Sequence, residues 1–306
     1  MNDDHVVVIT DSAASLPSEE VARQGIVVVP LTLVVEGLPR ADEPLGDVAL
    51  DGARANSHRL TTASPSPGAF VSAVQEHRSA GGALIATVSA TMSATHAAAL
   101  NASRYFPEGT VEVVDTGSAA GGEGLVVLAA ASAARSGAPL EQVARRAAQV
   151  ARRIRLLATL PDLEHLARSG RVPMLAARAR RLVGLHPIFE FRDGRPVIMR
   201  PAMTRKAALR RMIRVCLRDA GGDRSLRPVL HAAVLHAGVP DEAAGLRDRL
   251  LEALQGADHE IFLAPFSSVM VAHTGEGLIG IAWWWETGSA PSRRLGHRRS
   301  RTGTWT

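Results

Sequence analysis

Two short clusters of hydroxyl side chains are the residues of this chain best placed to do chemistry. Ser89, Thr91, Ser93 and Thr95 crowd into seven residues directly after the apolar run Leu84–Val88. Thr61, Thr62, Ser64 and Ser66 lie upstream and lead into Pro67-Gly68. A hydroxyl-rich turn ahead of a helix can cap that helix. Together with free backbone N–H groups and the helix dipole it can also hold an anion. The residues alone leave both roles open. Asp11 and Asp115 each close an apolar run. They are the candidate general bases if Ser93 serves a hydrolase or phosphotransferase.

Other chemistries lack their residues. No GxxxxGK[ST] phosphate loop occurs, and the single lysine, Lys206, has no glycine-rich approach. There is no GxSxG elbow. Gly275–Gly280 matches GxGxxG literally, yet it runs into the apolar stretch IAWWW rather than a helix, and no acid lies about twenty residues on. No Cys/His or HExxH set suggests zinc. His231 and His236 are five apart on a strand, so they face opposite sides. Neither metal nor cofactor is expected.

The elements that must position the hydroxyls alternate. Val6–Thr10, Ile26–Leu33, Ala83–Ser89 and Thr110–Asp115 read as buried strands; amphipathic or alanine-rich patterns follow most of them as helices. Strand and helix in alternation predict an α/β fold with a mostly parallel, doubly wound sheet. Ligands of such sheets sit at the carboxyl ends of strands, where the Ser89–Thr95 cluster lies. Leu125–Arg135 and Leu140–Ile154 read as helices, Gly117–Gly124 as a small-residue turn. A second α/β unit begins near 156–162, giving an N-terminal domain over 1–158 and a C-terminal one over 159–286. In it, Asp162–Ala167 and Met174–Val183 read as helical around a turn at Arg168–Arg171. His186–Arg200 reads as a hairpin turning at Asp193-Gly194. Thr204–Ala220 and Pro240–Leu254 read as helices, Pro228–Ala237, Glu260–Ala264 and Leu278–Trp285 as strands. Ala41–Ala55 shows no clear pattern.

The bulk numbers narrow the partners. The apolar fraction of 46% suits a globular core, and aromatics are only 4%. The single Cys216 forbids an internal disulfide and points to a reducing compartment. No signal peptide and no apolar run of membrane-spanning length are apparent, so the chain reads as cytoplasmic. The net charge of +5 equals the five arginines of residues 287–306, a tail that reads as disordered, and the remainder has 30 basic and 30 acidic residues. That distribution argues against a nucleic-acid partner, which usually meets a basic patch on the domain itself.

The segments ITDSAASLP (Ile9–Pro17), VVPLTL (Val28–Leu33), TASPSPGAF (Thr62–Phe70), SATMSAT (Ser89–Thr95), VDTGSAAGGEG (Val114–Gly124), DLEHLARSGRV (Asp162–Val172) and AHTGEG (Ala272–Gly277) follow one another in register over about residues 5–285. Through them the chain resembles the DegV family of bacterial fatty-acid-binding proteins. The resemblance implies a two-domain fold with a long-chain fatty acid between the domains. The protein would be a lipid-binding carrier rather than an enzyme. It would present the carboxylate to a separate fatty acid kinase, in the service of phospholipid synthesis, with no membrane span and at most transient membrane contact. Matched position by position, Thr62, Ser93 and His273 would hold the carboxylate, with Thr61 and Ser64 beside them. Arg171 would contact the partner or the acyl phosphate.

Four positions depart from the family pattern. Ala63 replaces a serine, Ala94 a glycine and Glu276 a proline, and Ala202 stands where a basic segment begins with arginine. Ala94 requires a turn without positive φ at that point. Glu276 would bring a negative charge toward the carboxylate.

Overall fold

The computed structural model describes residues 5–35, 37–42, 60–77, 79–161, 184–220 and 228–286. Four parallel strands form the first sheet: β1 (Val7–Asp11), β2 (Val27–Val29), β6 (Ala83–Thr87) and β7 (Val111–Asp115), in the order β2-β1-β6-β7. Every residue of β1 and β6 is buried, the continuous apolar run expected of central parallel strands. After the short α1 (Ser18–Gln24), helices cover both faces. Val7, Ile9 and Ile85 pack toward α2 (Pro67–Glu76) and α3 (Thr95–Ser103). Val8, Leu84 and Ala86 pack toward α4 (Gly121–Arg135) and α5 (Leu140–Ala151).

The second sheet has six strands in the order β10-β9-β8-β13-β11-β12. These are β8 (Arg155–Thr159), β9 (Ile188–Arg192), β10 (Arg195–Ile198), β11 (Val229–His236), β12 (His259–Pro265) and β13 (Ile279–Glu286). Only β11 and β12 are parallel. The helices α6 (Arg205–Arg218) and α7 (Pro240–Leu254) contribute Met212, Leu246 and Leu250 to a core shared with Trp283 and Trp285. The Asp193-Gly194 hairpin forms as expected, with φ of 49° and 75° at the two turn residues.

Helix α4 lies between the two sheets and joins them. One core cluster holds Val8 and Leu84 of the first sheet, Val126 and Val127 of α4, and Ala233 and Trp284 of the second. The glycines of GGEG make that approach possible. A Cβ at Gly121 would stand 2.7 Å from Ala233 Cβ, and one at Gly124 would stand 2.9 Å from the Ala14 carbonyl. The helix therefore begins at Gly121, not at Leu125: glycines expected to make a turn instead serve close packing.

A further difference has a local cause. The strand expected over Ile26–Leu33 breaks at Pro30, which has no N–H for a ladder. Beyond it, β3 (Thr32–Val35) leaves for a separate antiparallel sheet with β4 (Leu38–Ala41) and β5 (Leu60–Ala63), ordered β4-β3-β5. Strand β8 pairs along its length in the six-stranded sheet. The expected elements at 162–167, 168–171 and 174–183, and the tail 287–306, lie outside the described residues. Among the described residues no helix is long and apolar enough to cross a membrane.

Candidate functional site

A cavity of about 300 Å³ opens between the three-stranded sheet, the β6–α3 turn, the β9–β10 hairpin and α8 (Ser268–Thr274). Its walls include Leu31, Val88, Phe189, Phe191, Phe266 and Met270, and no Asp, Glu, Lys or Arg lines it among the described residues. Its polar side chains collect at one place: Thr62, Ser64, Ser93, His273 and Thr274.

Each polar residue arrives on a different element. Thr62 sits in β5, paired with Leu33 of β3. Strand alternation turns Thr62 toward the cavity and leaves Thr61 exposed on the other side. Ser64 follows directly, where β5 ends. Ser93 lies in the turn after β6, and His273 lies in the last turn of α8. Thr62 Oγ1 and His273 Nε2 are 2.9 Å apart. Ser93 Oγ lies 3.0 Å from Ser64 Oγ and 2.8 Å from Thr95 Oγ1. The structure thus brings Thr62, Ser64, Ser93 and His273 together and keeps Thr61 apart. Arg171 lies outside the described residues.

The eight clustered hydroxyls divide into separate tasks. Ser89 and Thr91 both donate to the Gly194 carbonyl, at 3.0 and 2.7 Å, and so fasten the β9–β10 hairpin. Ser66 caps α2 through the Ala69 amide at 3.2 Å. Thr62, Ser64 and Ser93 face the cavity.

The acids are committed elsewhere. Asp11 Oδ1 and Oδ2 accept the amides of Ala13 (3.0 Å) and Val88 (2.9 Å). Asp115 Oδ1 accepts those of Ala90 (3.2 Å) and Gly117 (2.8 Å). These bonds shape the turns that line the cavity rather than activate Ser93. Burial pushes Asp11 up to about 6, against the pull of its backbone donors. Glu123, on α4, is fully buried beside it. Burial first, then the charge of Asp11, raises Glu123 well above the carboxylate range. Glu123 therefore carries the proton of this pair and also accepts from Thr10 Oγ1 at 3.2 Å.

A sequence model described as an uncharacterised protein of the DegV family matches residues 5–286. The chain belongs to the DegV family. It is 32% identical over 290 residues to a DegV domain-containing protein of Streptomyces coelicolor, spanning 90% of this chain and 97% of that one. A Mycobacterium tuberculosis DegV domain-containing protein is 32% identical over 283 residues, spanning 90% and 96%. Among solved structures it is similar to a DegV family protein from Thermus thermophilus described for its fatty acid binding. That match has a TM-score of 0.83 and 28% identity, over 92% of this chain and 99% of the other. DegV of Bacillus subtilis, described as a fatty acid binding protein, matches with a TM-score of 0.81 and 25% identity, over 92% and 99%.

The departures from the DegV pattern have visible outcomes. Ala94 takes φ −73°, the right-handed region that a non-glycine residue needs. Ala63 lines the cavity and Glu276 does not. Ala202 is buried in a bridge with His186, and the following Arg205 is held by Glu242 at 2.7 Å and by the Gly277 carbonyl at 2.6 Å. Among the described residues no cluster of His, Cys, Asp or Glu could hold a metal. Sequence reasoning missed Asp42, the Asp11–Glu123 pair, and the aromatic wall of Phe189 and Phe191.

Proposed function

We propose that this protein is a carrier that buries the chain of a long-chain fatty acid and holds its carboxylate at Thr62, Ser93 and His273, with Ser64 beside them. One observation carries the reading: a cavity without a described charged side chain gathers its hydroxyls and its one imidazole at a single place. An ionised carboxylate is costly to bury without partners, and these groups can replace its water. The tail supplies affinity, at about 0.8 kcal/mol per buried methylene before ordering costs. The fatty acid binding described for the Thermus and Bacillus relatives supports the same ligand here.

In this proposal the protein supplies no chemistry of its own. It presents the carboxylate to a separate fatty acid kinase in the cytoplasm, which forms the acyl phosphate for phospholipid synthesis. Arg171 contacts the partner or the new phosphate. Mass spectrometry of an organic extract from the purified, denatured protein tests the ligand. The expected result is near-stoichiometric fatty acid. A clean extract, with no binding of added palmitate or oleate, would overturn the reading. For the partner, acyl phosphate is expected only when kinase and ATP are added to the loaded protein; turnover by this chain alone would favour an enzyme in the same cavity.

A further inference from the structure

Asp42 stands at the end of β4, only 5% exposed, and its bonds lead to the polar end of the cavity by two routes. On one side it reaches α8. Its Oδ1 accepts the Val269 amide at 2.9 Å, and the Ser268 amide and Ser267 hydroxyl also bond to its carboxylate. The next two amides of the helix stay local: Met270 N donates to Ser267 Oγ at 3.4 Å and Val271 N to Ser267 O at 3.1 Å. Two of the four N–H groups that a helix start leaves without helical partners are therefore satisfied by a residue from another sheet.

On the other side Asp42 is tied to the strands that carry Thr62. Its amide donates to the Leu31 carbonyl at 2.8 Å. Its Oδ2 accepts from Ser12 Oγ at 2.6 Å, and Ser12 Oγ accepts the Leu31 amide at 3.0 Å. Leu31 leads into β3, whose Leu33 pairs with Thr62.

We infer that Asp42 is a positioning residue for the carboxylate site: it fixes the start of α8 against the β3–β5 sheet, so that His273 Nε2 meets Thr62 Oγ1. The ligand in this inference rests on the fatty-acid reading; the placement of His273 does not. A seven-residue helix has little rigidity of its own. Its last turn stays in register with β5 because its first turn is bonded to a residue at the end of β4, in the same sheet as β5.

The test separates positioning from general stability. In the ligand-free protein, Asp42→Ala and the milder Asp42→Asn should both move the ¹⁵N resonances of the His273 ring. Ser66→Ala, which removes a comparable cap from α2, should not. Asp42→Ala should weaken palmitate binding by roughly tenfold, the scale of one lost cap or hydrogen bond. The same change made on a His273→Ala background should cost less than about twofold, because coupled residues are not additive. Unmoved His273 resonances in folded Asp42→Asn would overturn the inference, as would an equal affinity loss with and without His273. If Asp42→Ala does not fold, Asp42→Asn and Ser12→Ala carry the same comparisons. Failure of the wild type to bind palmitate would overturn the fatty-acid reading, while the ring resonances still decide the role of Asp42.

Discussion

Ser64 Oγ and Ser93 Oγ meet at 3.0 Å, and Ser93 Oγ also lies 2.8 Å from Thr95 Oγ1, on a fully buried threonine. Three hydroxyls in a row form a chain whose protons can be oriented together, since each hydroxyl donates one hydrogen and accepts up to two. Thr95 is shut from solvent at the inner end. The chain can thus aim its outward proton into the cavity, where an anion would accept it. The Thr62–His273 contact supplies a second polar pair at the same end of the cavity.

Removing these donors should weaken fatty-acid binding in a graded way. A hydrogen bond to a charged group contributes about 1.5–3 kcal/mol. Ser93→Ala, Thr62→Val and His273→Ala should therefore each lower affinity by roughly tenfold or more. Thr61→Ala removes an exposed hydroxyl outside the cavity and should change affinity less than about twofold. Displacement of a fluorescent fatty acid measures all four. Unchanged affinity in the first three variants would sink the site.

The Asp11–Glu123 pair predicts an unusual dependence of stability on pH. Both groups are raised in the folded state, so their contribution is complete below the unfolded carboxylate values. That of Asp11 is lost as pH rises through about 6, and that of Glu123 across a range extending well above the ordinary carboxylate. Glu123→Gln keeps an acceptor for Thr10 and offers Asp11 a donor that cannot ionise. The variant should gain stability over the wild type as pH rises above the unfolded carboxylate range, by at most about 1.4 kcal/mol per pH unit, the slope of one retained proton. Urea melts of both proteins at several pH values provide the comparison. A difference that stays flat or falls with pH would show that Glu123 does not hold the proton.

Ala120 carries a local strain that glycine would relieve. It lines the cavity at the entrance to α4 with φ 50° and ψ −132°, where a Cβ is unfavourable. Such conformations cost about 1–3 kcal/mol, while the looser unfolded chain of a glycine variant returns roughly 0.4–1 kcal/mol of that gain. Ala120→Gly should raise stability by about 1 kcal/mol, readable as a shift of the urea midpoint with unchanged slope. A lower midpoint would mean that the methyl contributes more by packing than the backbone loses by strain.

The parallel sheet was legible because its strands are buried on both faces and read as unbroken apolar runs, as in ALIAT of β6. The hairpin was legible because Asp193-Gly194 has one dominant conformation. The small antiparallel sheet was not: β4 reads LPRA and every residue of it is exposed, so it carries no hydrophobic pattern. For the candidate site, hydroxyl density singled out two turns but could not apportion their side chains. Ser89, Thr91 and Ser93 look alike in sequence, yet the first two fasten a hairpin whose tip is 105 and 103 residues away. Asp42 gave no signal, because its partners at Ser12 and Val269 are 30 and 227 residues distant.

The hairpin clasp leads to a last prediction. Strands β9 and β10 supply Phe189, Phe191 and Pro196 to the cavity wall. Among the described residues, strand β10 lies at the sheet edge and is paired on one side only. The tip is fastened by the two hydroxyls that converge on the Gly194 carbonyl. Gly194 has φ 75°, and a Cβ there would run into the Ser89 hydroxyl. Gly194→Ala therefore strains the turn and pushes the clasp apart at once. It should cost about 1–3 kcal/mol. Ser89→Ala combined with Thr91→Val should loosen the tip without straining the turn. Hydrogen exchange should then speed up in β9 and β10 while β1 and β6 stay protected, since local openings cost less than global unfolding. Bound fatty acid should dissociate faster from both variants, because the wall that retains its chain opens more often. Faster exchange with unchanged dissociation would separate the hairpin from the exit path, and unchanged exchange would show that packing of the three side chains, not the clasp, holds the hairpin down.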